Sequence, residues 1–406
     1  MNRPRSWLAA FAVAALVWPV ATAAQQTDPE DVDVFQERGY LVFQSEDGLS
    51  RYWLDGRVML DAGLFSGSEN ELANGMETRR ARIAFKSILY GDWAGELDLD
   101  FANNELELKD FWLAYIGVNN LMIKAGNQKV QNSLEELTTS RWLTFMERAQ
   151  PNTFTIGRRV GVSAATWGEN WSAVGGLYTE EPGAEADPGE QLGNGRVARA
   201  TFAPLLDDER VIHLGASYSS FTPEAGDDME VRFRQRPSVH FTDRLVSTGK
   251  VSDVERFSFV GFEGAIRQGS LSVQGEYVMD KMTRLNGMTD AEFSGWYGFV
   301  SWFATGEQRT YVPNEGEFGA IYPKGDNGAL EFAVRYSSLD LTDTAADVLG
   351  GKANNLTFAA NWYANNNVRL MANFVIVDND ENADGDGDYL GNDDFKVFAI
   401  RLQYLF

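Results

Sequence analysis

The last twelve residues, FKVFAIRLQYLF, set Phe398, Ile400, Leu402, Tyr404 and Phe406 on one face of an extended chain and Ala399, Arg401 and Gln403 on the other. That is the period of a strand with one apolar and one wet side. The same alternation recurs in LEFAVRYS, where Phe332, Val334 and Tyr336 interleave with Glu331, Arg335 and Ser337. It returns in VRLMANFVIV, where Val368, Leu370, Ala372 and Phe374 interleave with Arg369, Met371 and Asn373. Two architectures satisfy such strands: a soluble sandwich, whose apolar faces meet each other, and a spanning barrel, whose apolar face meets lipid.

The chain ends separate the two. Arg3 and Arg5 precede the apolar run WLAAFAVAALVWPVA from Trp7 to Ala21, and Ala23 and Ala24 follow, in the order of a secretory signal peptide. Residues 1–24 are therefore expected to be a signal, 25–50 an N-terminal periplasmic segment, and 51–406 the folded domain. Beyond the signal no run approaches the ~18 apolar residues of a membrane helix, so only strands could cross a bilayer. An exported chain of ~10-residue alternating strands that closes on an aromatic last residue describes an all-β outer-membrane barrel.

The formal charge is −24; without Arg3 and Arg5 the chain keeps 33 basic against 59 acidic residues, a balance of −26. Nucleic acid and anionic lipid are poor partners for such a chain. Cysteine is absent, so no disulfide or thiolate chemistry is expected.

Seventeen segments carry the strand pattern, beginning near residues 51, 79, 93, 107, 121, 157, 171, 196, 210, 231, 256, 270, 294, 329, 355, 367 and 394. A single-chain bacterial barrel takes an even number. The segment at 231 is the one to discard, because Pro237 inside it cannot donate to a central ladder. Sixteen strands remain, and the connections then alternate. Short turns (YGDW, GVNN, GEN, RQGS, YANNN) fall on one side and long loops (66–78, 131–156, 181–195, 282–293, 378–393) on the other. Two connections resist: the loop between strands three and four is very short, and the turn at 305–328 is long for its side, a length that suits a segment folded inward.

The discarded segment becomes an external loop over residues 221–255, containing VRFRQRPSV with Arg232, Arg234 and Arg236 at every second position. An extended backbone would set these guanidinium groups ~6.7 Å apart on one side, and guanidinium forks match phosphate oxygens without losing charge. Dipped into a pore, the row would form a ladder for anions. Left in solvent, it would pair with Asp227, Asp228 and Glu230 just upstream.

Strand two places Arg80, Arg82 and Lys86 on one face, opposite Ala81, Ile83, Phe85 and Leu89, so the three cations are expected in the lumen. On the next strand Glu96, Asp98 and Asp100 face the lumen if Leu97, Leu99 and Phe101 face lipid. Acid facing base weakens anion preference to a degree set by pore width. Two charges ~6–7 Å apart interact by ~2.5 kcal/mol at an effective dielectric of ~20, and by under ~1 kcal/mol in water.

Six stretches, in order along residues 51–406, resemble the phosphate-selective porin O and P family: RRARIAFKSILYGDW, LKDFWLAYIGVNNLMIKAGNQKVQNSLEELTTSRWLTFMER, GRRVGV, FSGWYGFVSWFATGEQRTYVP, GALEFAVRYSSLDLTD and NWYANNNVRLMANFVIV. The resemblance implies a sixteen-stranded homotrimeric barrel with inward-folded loops in the bacterial outer membrane. It also implies an arginine ladder and a lysine-lined constriction that select phosphate or pyrophosphate. RFRQR is similar in place and type to the ladder. Lys124 and Lys129, which flank AGNQ, and Lys324, in the 305–328 turn, are matched to the constriction on the same ground.

DNDENADGDGDYLGND resembles part of a calcium loop through Asp380, Asn382, Asp384, Gly385, Asp386 and Asp388. Its twelfth position is Gly391 rather than a bidentate glutamate, and strands flank it, so no metal site is expected. Only His213 and His240 are available for acid–base work, each alone and without a serine motif, so no catalysis and no cofactor are expected. Passive conduction with a phosphate bias is the reading that follows. Its alternatives are a weakly selective general diffusion porin, whose acids cancel the ladder, and a soluble periplasmic β-sandwich that binds ligands.

Overall fold

The computed structural model describes residues 40–184, 192–224 and 229–406; the signal segment, Asp227 and Asp228 lie outside these. Sixteen strands close into one antiparallel barrel. They are β1 (Arg51–Ser66), β2 (Gly75–Leu89), β3 (Trp93–Asp100), β4 (Glu107–Val118), β5 (Leu121–Lys129), β6 (Arg158–Trp167), β7 (Trp171–Tyr178), β8 (Asn194–Leu206), β9 (Arg210–Thr222), β10 (Val254–Gln268), β11 (Leu271–Arg284), β12 (Ala291–Phe303), β13 (Ala329–Asp343), β14 (Val348–Tyr363), β15 (Val368–Asn379) and β16 (Phe395–Leu405). Each pairs with its chain neighbours, and β1 pairs with both β2 and β16, which closes the ring. The segment holding Pro237 lies outside the wall, as parity requires.

The alternation read from sequence is the inside–outside alternation of this wall. Phe398, Ile400, Leu402 and Tyr404 are exposed on the outer face, while Arg401 and Gln403 are buried within. Strand extents differ at one end: β2, β12 and β14 begin at residues 75, 291 and 348, earlier than the expected 79, 294 and 355. The extra residues, such as LGGK at the start of β14, lack the alternation; past the bilayer a hairpin no longer needs an apolar face. Tyr40–Gln44 adds a short strand beside Arg51–Leu54, so the sheet takes in part of the segment before residue 51.

The seam is made at the last residue. Gly56 donates its N–H to the Phe406 carbonyl at 2.7 Å and accepts from the Phe406 N–H at 3.1 Å. The Phe406 ring covers Gly56 so closely that a Cβ there would stand 2.3 Å from the ring Cζ and 2.7 Å from the Arg82 carbonyl oxygen. Gly56→Ala is expected to cost about 1–3 kcal/mol by overpacking this seam. The check is the temperature at which the heat-modifiable barrel band gives way to the unfolded band, and an unchanged temperature would refute the seam.

Much of the inner face meets chain rather than water. The connection from β5 to β6, residues 130–157 and here the constriction loop, crosses the lumen and is buried through most of its length. It begins with a four-residue helix, Leu134–Leu137, in which Ser133 caps the Glu136 N–H at 3.1 Å, the S-x-x-E pattern of a helix start. The Glu276 carboxylate of β11 takes the Leu134 and Glu135 N–H groups at 3.1 and 2.7 Å. At the other end Lys129 donates to the carbonyls of Glu136 and Leu137 at 2.7 and 3.0 Å, and Arg148 to those of Glu135, Glu136 and Thr138 at 2.8 to 2.9 Å.

The loop is then fastened across β13 to β16. Arg335 reaches Glu135 at 3.3 Å, Arg369 donates to the Leu143 carbonyl at 2.8 Å, and Arg401 pairs with Glu147 at 2.6 Å. Gln403, whose sequence face suggested water, donates to the Arg141 carbonyl at 3.2 Å and is sealed beneath this loop.

The connection from β9 to β10, here the mouth loop, lies on top of the constriction loop. Gln235 donates to the Gln150 carbonyl at 3.0 Å, and Phe233 packs edge-on against Phe154, with ring centres 5.1 Å apart. Phe241 seats over Gly63 of β1, where a Cβ would come within 2.0 Å of the ring. The long turn from β12 to β13, residues 304–328, also enters the barrel. Tyr311 and Phe318 pack with Leu134, Val211 and Ala265, and the Tyr311 hydroxyl meets His213 Nδ1 at 2.8 Å. Arg199 fixes its tip through the Glu315 and Gly316 carbonyls at 2.9 and 2.7 Å.

Candidate permeation path

These inward segments leave a cavity of about 210 Å³ between the wall of β1 to β8, the constriction loop and the inward turn. Seven cationic side chains line it: Arg57, Lys86, Lys124, Lys129, Arg141, Arg158 and Arg199. Five carboxylates face them: Glu96, Asp98, Asp110, Glu315 and Glu317.

The acids of β3 and β4 lie in the middle of the wall with cations on both flanks. Arg57 stands 3.6 Å from Asp98, Lys86 is 3.7 Å from Glu96 and 3.0 Å from Asp55, and Arg158 donates to Asp110 at 2.9 Å. Arg82 bridges Asp98 and Asp100 at 3.5 and 2.8 Å. The face expected for Arg80, Arg82 and Lys86, and for the acids opposite, is the one observed. Arg82 and Lys86 are bound into ion pairs, whereas Arg80 is buried against Met59 at 3.6 Å and does not line the cavity.

Lys124 is different. Its ammonium lies 4.2 Å above the Trp112 ring, a cation–π contact, and it makes no ion pair among the described residues. Lys129 shares the cavity but donates to helix carbonyls. Lys324 stands apart, exposed on the inward turn, with its Nζ 3.2 Å from the Gly306 carbonyl.

Among the described residues, Glu96, Asp98 and Asp110 are the one group of carboxylates close enough to share a cation, within 4.8 Å of one another. Each is already ion-paired to the wall. The calcium-like loop does not gather its acids: Asp380 accepts from the Lys352 and Asn382 N–H groups at 2.9 and 3.1 Å, and Asp384 from Gly387 at 3.1 Å.

Above the cavity, Arg232 and Arg234 are exposed and Arg236 half-buried, while Phe233 between them is buried; the alternation of RFRQR turns its cations toward the mouth. Glu230 pairs with Lys250, not with the row. Arg232 contacts Asp386, and Arg234 and Arg236 make no ion pair among the described residues. Arg244 joins them. Burial, together with Arg236, Arg234 and Arg232 nearby, pushes its guanidinium affinity for a proton down to about 10, against the smaller opposing pull of Asp243.

The family model described as phosphate-selective porin O and P matches residues 53–406. The chain belongs to that family. It is 27% identical to Porin O of Pseudomonas aeruginosa over 424 residues, 94% of each chain. In fold it is similar to an anion-selective porin of Comamonas acidovorans, with a TM-score of 0.55 and 14% identity, over 88% of this chain and all of that one. It is also similar to the trimer form of OmpT from Vibrio cholerae, with a TM-score of 0.56 and 10% identity, over 88% and 99% of the two chains. The porin lies in the bacterial outer membrane, its apolar outer face in lipid and its short turns toward the periplasm.

Sequence reasoning passed over Arg57 and Arg199, although each shares the inward parity of its strand; Arg158, at the start of β6, has the opposite parity to the inward Ser163 and Ala165, so the period does not mark it. Arg141 and Arg244 sit in loops, where no period marks them.

Proposed function

We propose that this porin conducts small solutes passively, as a homotrimer, with a preference for phosphate and pyrophosphate over other ions. The observation that carries the reading is the set of cations along the path that make no ion pair among the described residues: Arg234, Arg236 and Arg244 at the mouth and Lys124 at the constriction. The mouth arginines collect the anion by its charge. Lys124, with Lys129 and Arg199 nearby, replaces part of its hydration shell and releases it because binding stays weak. The process is permeation, not turnover. The trimer form of the OmpT relative supports the assembly state.

A weakly selective channel is the second reading, favoured by Glu96, Asp98 and Asp110, which neutralise wall cations. Changing Arg232, Arg234 and Arg236 together to alanine separates the two. On the anion reading, phosphate permeation falls and the reversal potential moves toward cation preference at low salt. The effect fades at molar salt, where the Debye length is ~3 Å. Trimer stability should hardly move, since exposed pairs contribute only ~0–1 kcal/mol. An unchanged reversal potential at low salt would favour the weakly selective channel.

A further inference from the structure

We propose that Asp386 is a tethered competitor for the mouth arginines, and that it biases entry toward solutes carrying two or more negative charges over monovalent anions. This rests on the anion reading above. The connection from β15 to β16, residues 380–394, leans over the mouth loop and is held there by contacts that do not involve Asp386. Gly385 donates to the Leu245 carbonyl at 2.8 Å, and the Tyr389 hydroxyl donates to Asp243. At its base Asp393 accepts from the Ser68 hydroxyl at 2.6 Å and from the Glu69 and Asn70 N–H groups at 2.8 and 3.2 Å.

Gly385, Asp386 and Gly387 all have left-handed backbone, with φ of 66°, 71° and 84°. The chain makes a tight hook whose central carboxylate, Asp386, meets Arg232. A carboxylate fixed in this way acts at the high effective concentration of an intramolecular group.

The pair is not sealed: the Arg232 and Asp386 side chains keep 35% and 28% exposure, so a solute can displace the carboxylate. A monovalent anion that does so gains only one contact of the same kind as the one it breaks. A pyrophosphate can take Arg232 and also reach Arg234, which makes no ion pair among the described residues, since alternate residues of an extended strand lie ~6.7 Å apart. The tether therefore costs chloride more than it costs a polyanion.

The test is Asp386→Asn, because asparagine, like aspartate, tolerates left-handed backbone and the independent contacts keep the hook in place. Planar-bilayer recordings would measure chloride conductance at low salt and the pyrophosphate concentration that halves it. We expect anion capture from chloride to rise by about two- to fivefold, the span set by an exposed ion pair, with the preference for pyrophosphate over chloride falling by a similar factor. In an Arg232→Ala background the substitution should have no effect.

If the triple arginine variant loses anion preference but Asp386→Asn leaves both quantities unchanged, the tether is refuted and the ladder stands. An unchanged triple variant refutes the ladder itself. If Asp386→Asn acts equally with and without Arg232, the carboxylate works by general charge rather than as a competitor, which also overturns the proposal.

Discussion

Exchanging Glu147 for alanine is expected to raise single-channel conductance and lower the barrel's heat resistance together. The Glu147 carboxylate takes Arg79 with two bonds, at 2.8 and 2.9 Å, and Arg401 at 2.6 Å. Arg401 keeps Asp61, at 2.6 and 2.7 Å, when Glu147 is lost, but Arg79 has no other ion pair among the described residues. Removing one partner from a buried ionic set costs about 3–5 kcal/mol. That loss falls on the fastening between the constriction loop and the β2 and β16 walls, so the loop should shift toward the lumen wall it leaves open. Conductance in symmetrical salt and the heat-modifiable gel transition are the two readouts. A lowered transition with wild-type conductance would mean that Glu135, Arg335 and Glu276 alone hold the loop.

Reversing Lys124 to glutamate should have the larger effect on selectivity. The change turns a lining of seven cations and five carboxylates into six of each, and removes the lysine that makes no ion pair among the described residues. At ~6–7 Å and an effective dielectric of ~20, each unit charge is worth ~2.5 kcal/mol. Even after heavy screening by pore water, the anion-to-cation permeability ratio should fall about tenfold or more at low salt, tenfold being 1.4 kcal/mol. Lys324→Glu provides the comparison: its side chain lies off the cavity, and its reversal should leave the ratio near wild type. Equal effects from both would mean that the field of the whole mouth, not the constriction, sets selectivity.

The strands were legible because lipid imposes one rule on every second residue, whatever the neighbours. Phe398 faces out and Arg401 in for the same reason as Phe332 and Arg335, and one proline with an even count removed the false strand. The same parity put Arg82 beside Asp98 and Asp100. The constriction was not legible in this way. Glu147 meets Arg401 across 254 positions, and Asp386 meets Arg232 across 154. Such meetings depend on where loops fold back, and loops carry no period. Lys324 shows the limit of matching by resemblance: the turn that holds it does enter the barrel, but the lysine sits on its exposed side.

The inward segments give this barrel something that water-filled tubes lack. Phe154, Phe233, Phe259, Phe293, Leu339 and Val348 pack as one apolar cluster on the inner side of the wall, as the interior of a water-soluble domain would. The stuffing that narrows the conduit is also what makes the molecule rigid. A lineage of such chains could not re-bore its channel by trimming a loop without hollowing out its own centre, so changes of cargo should come by exchanging single charged side chains along a bore of fixed calibre.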